Sequence, residues 1–232
     1  MSTVAELTAF VRDVMDLDES DLPAALIRQY MRDGFDRIVT LERRWPFYET
    51  TTTLNTVASQ RDYSIASINS GTLAEITSIV DNSAAGQRLS LISIDEAETV
   101  WHGSFDVPTR PLFFAKWSDT LKLYPKPDSV YPLTIRGYRK PTYSWVTDTT
   151  LEPDLDYRFH TALAYYAISQ AYKRQEDSEM TQQYRTSFDE AVQLARKEIM
   201  HPSSHRPMIM SRGNVRPSSK YWLESMGRTL GQ

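Results

Sequence analysis

The period of the apolar residues changes twice along the chain, and this change limits the possible fold more than any other sequence feature. From residue 22 to residue 44, apolar side chains recur every three or four residues, as on one face of an α-helix. Between residues 48 and 143, short runs rich in β-branched and aromatic residues are typical of β-strands. The helical period returns after Pro153. This order predicts helices at both ends of the chain and a β region between them.

Prolines and polar breaks divide the helical parts into segments. Residues 3–16 predict a short helix, and residues 22–44 predict a longer one that must end before Pro46, because proline disfavours helical geometry in the residue that precedes it. Residues 155–174 predict a third helix, and a fourth follows it and is ended by Pro202. We expect the last two helices to form a hairpin.

Three β-hairpins are predicted between the helical segments. Turn-forming residues at 57–61, 82–86 and 118–119 each separate two short runs of strand-forming residues, and a last strand is predicted at residues 133–138. Acidic residues at 95–98 favour the first turn of a short helix.

The predicted fold class is therefore α+β. Residues 1–47 and 151–201 are expected to form a discontinuous helical bundle, into which residues 48–150 are inserted as an antiparallel β module. Residues 202–232 are expected to form an extended C-terminal arm.

Charge is divided unevenly between the arm and the rest of the chain. The whole chain has a net charge of -4, which argues against a general electrostatic grip on nucleic acid. From His201 onward, however, five basic residues stand against Glu224 alone, so this part carries +4 and the rest carries -8. An acidic body is joined to a basic arm.

The arm contains two apolar clusters that are costly to leave in water, at residues 208–210 and 221–223. Together with the arginines around them, they predict a segment that becomes ordered on the surface of a partner protein. An untethered chain end is the alternative. The predicted docking residues are Arg206, Met208, Ile209, Met210, Arg212, Arg216, Lys220, Tyr221 and Trp222.

No catalytic, cofactor or metal site is predicted. The absence of cysteine excludes thiolate catalysis and cysteine zinc sites, and none of the eight glycines lies in a nucleotide-binding pattern. Asp156 and His160 could form a dyad on a helix, but no nucleophile motif accompanies them. Pro202 interrupts the possible metal pair His201 and His205. The acidic residues 16–19 lack the glycine and the final glutamate of a calcium loop.

Residues 43–47 combine two arginines with aromatic rings and allow two interpretations. The rings could stack on nucleic-acid bases while the arginines bind phosphate. Alternatively, Arg44 complements the dipole at the end of the helix, and Trp45 and Phe47 fill the junction between the helical body and the β module. The second interpretation is favoured.

No apolar run approaches the roughly 20 residues of a membrane span, and the acidic N-terminal residues do not look like an export signal. The sequence therefore predicts a soluble protein without a membrane partner.

Several short motifs resemble those of the portal-to-tail adaptor proteins of tailed bacteriophages. The long helix closes in Arg-Trp-Pro-Phe at residues 44–47, an extended run follows at 48–54, and a turn reaches Gln-Arg-Asp-Tyr at 60–63. Asp-Tyr-Arg-Phe at 156–159 then opens a helix rich in alanine and tyrosine. These adaptors are also called head-to-tail connectors or tail tubular protein A.

The resemblance implies a structural protein of the virion neck that is made in the host cytoplasm. It implies a ring of about twelve copies below the portal, bound to the portal protein and to the tail nozzle or other tail proteins, with genomic DNA passing through it. The alternatives are a tail-associated carbohydrate- or protein-binding module that uses the aromatic residues of the β part, and a hydrolase built on Asp156 and His160.

Overall fold

The computed structural model describes residues 2–83, 86–101 and 107–200, and within them the predicted α+β class is confirmed. Helices lie at both ends of the described part of the chain, and the strands lie between them. In chain order the elements are α1 (Val4–Met15), α2 (Ala24–Leu41), β1 (Glu49–Asn55), β2 (Asp62–Ser64), β3 (Leu73–Asp81), β4 (Arg88–Leu91), α3 (Ile94–Val100), β5 (Phe113–Trp117), β6 (Thr120–Tyr124), β7 (Pro132–Arg139), α4 (Ser144–Thr147), α5 (His160–Arg174) and α6 (Ser178–Met200).

Local interactions set the ends of the first two helices. The Thr3 hydroxyl accepts a hydrogen bond from the Glu6 backbone N–H at 3.2 Å, and the Glu6 carboxylate accepts one from the Thr3 N–H at 3.0 Å, which closes a capping box on α1. Helix α2 begins directly after Pro23. It ends at Leu41, before the predicted residue 44, because the chain is already extended at Glu42.

Helix α5 is the centre of the helical part and packs against both α1 and α2. The alanines of α5 allow close approach of the neighbouring helices. At Gly34 of α2, an added Cβ would lie 3.0 Å from a ring carbon of Tyr166 on α5, so these two helices meet at van der Waals distance. The buried apolar side chains on the three helices are Val4, Leu7, Val11, Ile27, Met31, Phe35, Ile38, Ala162, Leu163, Ala167 and Ile168.

The seven strands of the described residues form one sheet in the order β1-β7-β3-β4-β5-β6-β2. Neighbouring strands run antiparallel except β4 and β5, which are parallel. The sheet is therefore mixed and not wholly antiparallel as predicted, because α3 connects β4 to β5 as a crossover. One face of the sheet holds an apolar core that includes Ile79, Leu89, Phe114, Leu123 and Ile135.

Two of the three predicted hairpins form, namely β3 with β4 and β5 with β6. The hairpin predicted around residues 57–61 is wrong, since β1 pairs with β7 and β2 pairs with β6. The Tyr63 hydroxyl folds into this loop, where it accepts a hydrogen bond from the Val57 N–H at 2.9 Å and donates to the Gln60 carbonyl at 3.1 Å. This contact holds the connection in a wide loop and separates the two strands.

The described residues up to Ala195 form one compact unit. The finer division at residues 47, 150 and 201 into helical body, β module and arm stays a prediction.

Strand β3 follows β7 with two register shifts, between Leu73 and Glu75 and between Ile76 and Ser78. Beside them, the two backbones come into close contact at Gly137. A Cβ added there would lie 1.9 Å from the Glu75 carbonyl oxygen, so only glycine fits at this position.

We expect Gly137→Ala to lower the free energy of unfolding by about 2 kcal/mol, because the methyl group forces β3 away from β7. Urea denaturation of the full chain measures this. Thr51→Ala is the matched control, since Thr51 lies exposed on the adjacent strand, and it should cost well under about 1 kcal/mol. Equal stability of the two variants would contradict the close approach.

Candidate functional site

The segment between α2 and β1 contains the three residues predicted at the domain junction. Trp45 is 1% exposed, and its indole N–H donates to the Ile38 carbonyl in α2 at 3.2 Å. Its ring stacks on Phe47 at 5.4 Å and meets Phe159 edge-on at 5.3 Å. Since Phe159 directly precedes α5, the indole connects the end of α2 with the start of α5. Because the ring is buried, Trp45 is not available for stacking on nucleic-acid bases.

The Arg44 side chain forms an ion pair with the sheet. It donates to the Glu75 carboxylate of β3 from Nη2 at 2.5 Å and from Nε at 3.2 Å, and Arg43 approaches the same carboxylate at 3.3 Å. The hydrogen bond from Arg44 lowers the pKa of Glu75 below its usual value. Both arginines are largely exposed, so these pairs orient the segment more than they stabilise the fold.

A second ion pair lies at the other connection between the sheet and the helices. Arg139, the last residue of β7, donates from both terminal nitrogens to the two Asp154 carboxylate oxygens at 2.6 Å each. The same carboxylate accepts hydrogen bonds from the Thr142 N–H at 2.7 Å and from the Thr142 hydroxyl at 3.0 Å. The Arg139 guanidinium lies over the Tyr48 ring at 4.9 Å. A bidentate pair covered by a ring is well ordered and shielded from water.

Tyr48 joins this ion pair to the segment that contains Trp45. The Tyr48 hydroxyl donates to the Asp154 backbone carbonyl at 2.7 Å, and its ring meets Phe47 at 4.6 Å. Burial raises the pKa of the Tyr48 hydroxyl, and the nearby Asp154 carboxylate adds to this. We call these residues the junction cluster: Trp45, Phe47, Tyr48, Arg139, Asp154 and Phe159.

Arg139 and Asp154 were not predicted from the sequence, although they form the ion pair of the cluster. They are 15 residues apart and Tyr48 lies 106 residues before Asp154, so no local spacing pattern connects the three. The weak signal available was an arginine at the end of a strand and an aspartate directly before a predicted helix.

Asp156 and His160, the two residues of the possible dyad, form hydrogen bonds with different residues. Asp156 accepts hydrogen bonds from the Arg158 N–H at 3.1 Å and from the Arg158 guanidinium at 3.3 Å. His160 is buried, and its Nδ1 accepts a hydrogen bond from the Ser2 N–H at 3.4 Å. Burial lowers the pKa of this imidazole. The two side chains are therefore not arranged as an acid–base dyad.

The acidic residues near the end of α1 cap local turns. The Asp18 carboxylate accepts hydrogen bonds from Ser20 and from the Asp21 N–H, and Glu19 pairs with Arg12. Among the residues that the structure describes, no three histidine, aspartate or glutamate side chains are grouped as metal ligands. The histidine pair His201 and His205 lies outside the described residues.

The predicted docking residues of the arm also lie outside the described residues, so their role stays a prediction. They are Arg206, Met208, Ile209, Met210, Arg212, Arg216, Lys220, Tyr221 and Trp222. The junction role of Arg44, Trp45 and Phe47 also stays a prediction. The contacts described above show where these three side chains lie.

A cleft of about 430 Å³ opens between the end of α2 and the sheet, beside the junction cluster. Its walls are mainly apolar, and charged side chains stand at its rim. Such a cleft can receive an apolar side chain from another protein chain.

Comparison with known protein families agrees with the motifs at residues 44–63 and 156–159. A family model described as SU10 adaptor protein matches residues 2–215. The chain belongs to the SU10 adaptor protein family. This is a family of phage structural adaptors, and membership implies a structural and non-enzymatic protein. The match extends through both connections of the junction cluster and into the first half of the arm.

No curated protein matches this chain. In the ranges 2–83, 86–101 and 107–200, none of its helices combines the length and the apolar character needed to cross a membrane.

We expect Asp154→Asn to lower the free energy of unfolding by about 2 kcal/mol at pH 7, because it removes the charged partner of the partly buried Arg139. Asp62→Asn, at an exposed position of β2, is the control and should change stability little. Chemical denaturation of the full chain measures both variants.

The same pair predicts a dependence of stability on pH. Burial opposes ionisation of Asp154, but the hydrogen bonds from Arg139 and Thr142 outweigh it, so the pKa of this carboxyl is lowered. Its contribution is fully present above the ordinary aspartate pKa of about 4 and is lost as the pH falls through the lowered value. The difference between the natural protein and Asp154→Asn should therefore shrink below about pH 4. A constant difference between pH 7 and pH 2 would contradict this assignment.

Proposed function

We propose that this member of the SU10 adaptor protein family forms a ring of about twelve copies that joins the portal to the tail and helps to form the channel through which DNA leaves the capsid. The family match over residues 2–215 carries this proposal. The partners are the portal protein on one side and the tail nozzle or other tail proteins on the other, at the neck of the virion.

The distribution of charge supports different roles for the body and the arm of the subunit. Residues 1–200 carry a net charge of -8, and an acidic wall along the channel repels DNA phosphate and lets the duplex slide. The basic arm, at +4, makes the contact with the portal. Repetition around the ring converts a modest contact per subunit into a firm attachment.

Within the arm, the cluster Met208, Ile209 and Met210 supplies the apolar anchors, and Arg206 and Arg212 flank it with positive charge. The family match ends at residue 215, so it includes this first cluster and excludes Tyr221 and Trp222. We therefore assign the larger share of portal binding to the first cluster.

Two truncations test this assignment against purified portal rings from the same phage, with binding measured by sedimentation. Removal of residues 203–232 should weaken binding more than tenfold, because all anchors are lost, whereas removal of residues 217–232 should weaken it less. Denaturation of each truncated protein shows whether the rest of the chain is intact. Undiminished portal binding after the longer truncation would contradict the role of the arm.

A further inference from the structure

The first half of β3 lacks a strand partner on one of its two sides. Strand β3 pairs with β7 along its length, but it pairs with β4 only at Ile79 and Val80. In this register Leu91 would stand opposite Thr77, where a bulge breaks the regular pairing, and β4 ends at Leu91. Among the described residues, no strand pairs with residues 73–78 on the side away from β7.

The sheet is therefore split between the first half of β3 and β5. Two adjoining clefts, of about 430 and 380 Å³, lie along this split and share Leu91 and Phe114 in their walls. The Leu91 side chain is 65% exposed, which is unusual for a leucine at the end of a strand in the middle of a sheet. We call this feature the β3–β5 slot. Its walls include Ala74, Glu75, Ile76, Thr77, Leu91, Phe114 and Lys116.

Strand β3 offers backbone groups to an added strand along the slot, because no strand of the described residues pairs with residues 73–78 on this side. Lys116 of β5 spans it, and its ammonium group donates to the Ala74 carbonyl of β3 at 3.1 Å. The Ile92 N–H still donates to the Phe114 carbonyl at 3.0 Å, so the line of β4 is open only beyond Ile92, where the chain turns into α3. Because β3 runs antiparallel to β4, and β4 runs parallel to β5, a segment inserted beyond Ile92 in the direction of β4 has the correct orientation to pair with both neighbours. Such a segment takes over the Ala74 carbonyl and releases the Lys116 ammonium.

The charge around the slot selects the kind of segment. Arg88 and Lys116 are exposed and form no ion pair within the described residues. The carboxylate of Glu75 is already paired with Arg44 and Arg43. Two cations without carboxylate partners at an apolar slot favour a segment that carries acidic residues around an apolar one. The chain's own arm, at +4, has the wrong sign.

We propose that the β3–β5 slot binds an extended, acidic segment of a partner protein in the virion, which completes the sheet between β3 and β5. This inference rests on the proposed adaptor function, because it gives each subunit a second docking point that is separate from the arm. The apolar side chain of the segment packs on Phe114, Ile76 and Leu91, and its carboxylates lie beside Arg88 and Lys116.

Synthetic peptides test the inference directly. The probes are three blocked octapeptides of one design, SDVTLEVS (acidic), SQVTLQVS (neutral) and SKVTLKVS (basic), titrated calorimetrically into the full-length protein at low salt. The acidic peptide should bind roughly tenfold more tightly than the basic one, and added salt should reduce the difference. In hydrogen exchange, the amides of residues 74–78 should become protected when the acidic peptide is bound.

The double variant Arg88→Glu with Lys116→Glu should reverse the preference, so that the basic peptide binds more tightly. Arg185→Glu is the matched control, because it reverses one exposed charge on α6 and should leave the preference unchanged. The protein that lacks residues 203–232 should bind the acidic peptide with unchanged affinity. This result would show that the slot binds the peptide without the arm. The proposal for the slot and the proposal for the arm can therefore fail independently of each other.

Four outcomes would overturn the proposal. They are equal or tighter binding of the basic peptide, no binding of the acidic peptide at millimolar concentration, tighter binding after the arm is removed, and binding of a thymidine decamer in place of the acidic peptide. The third result would assign the slot to the chain's own arm, and the fourth would assign it to nucleic acid.

Discussion

The junction cluster lies where the sheet meets the helices at its two ends in sequence, because the chain passes from α2 to β1 and from β7 towards α5 through it. The first passage places Trp45 and Phe47 against Phe159, and the second fixes Asp154 on Arg139. Tyr48 contacts both. Without these contacts, α2 and α5 would lose their shared anchor to the sheet, and the ends of the cleft beside it would no longer be fixed. The cluster combines apolar burial, which stabilises without fixing a direction, with one partly buried ion pair, whose bidentate hydrogen bonds fix the orientation of the two side chains.

Periodic apolar residues made the helices and most strands predictable, because burial of one face imposes a regular pattern on the sequence. Strand partners were less predictable. Strands β1 and β2 look like a hairpin in sequence, but Tyr63 fills the loop between them and the two strands pair elsewhere. The parallel pair of β4 and β5 depends on where α3 crosses the sheet, which the sequence does not encode locally.

The candidate site shows the same limit. Trp45 and Phe47 could be assigned to a junction because Pro46 marks the end of the helix and the rings stand beside it. Arg139 and Asp154 could not, since their pairing follows from the turn after β7 and from the fold of residues 140–156. The β3–β5 slot is even harder to predict from the sequence, because it arises from two bulges and a short strand whose register is set by tertiary contacts. A binding site that depends on the pairing register of distant strands can be recognised only once the fold is known.

The proposed function assigns separate roles to three parts of one subunit, namely an acidic body, a basic arm and a slot with basic residues at its rim. Electron microscopy of the full-length protein mixed with purified portal rings tests this account most directly. We expect a closed ring of about twelve adaptor copies on one face of the portal, with density for the arm running onto the portal surface. Portal rings without attached adaptor, at concentrations that saturate assembly, would contradict it.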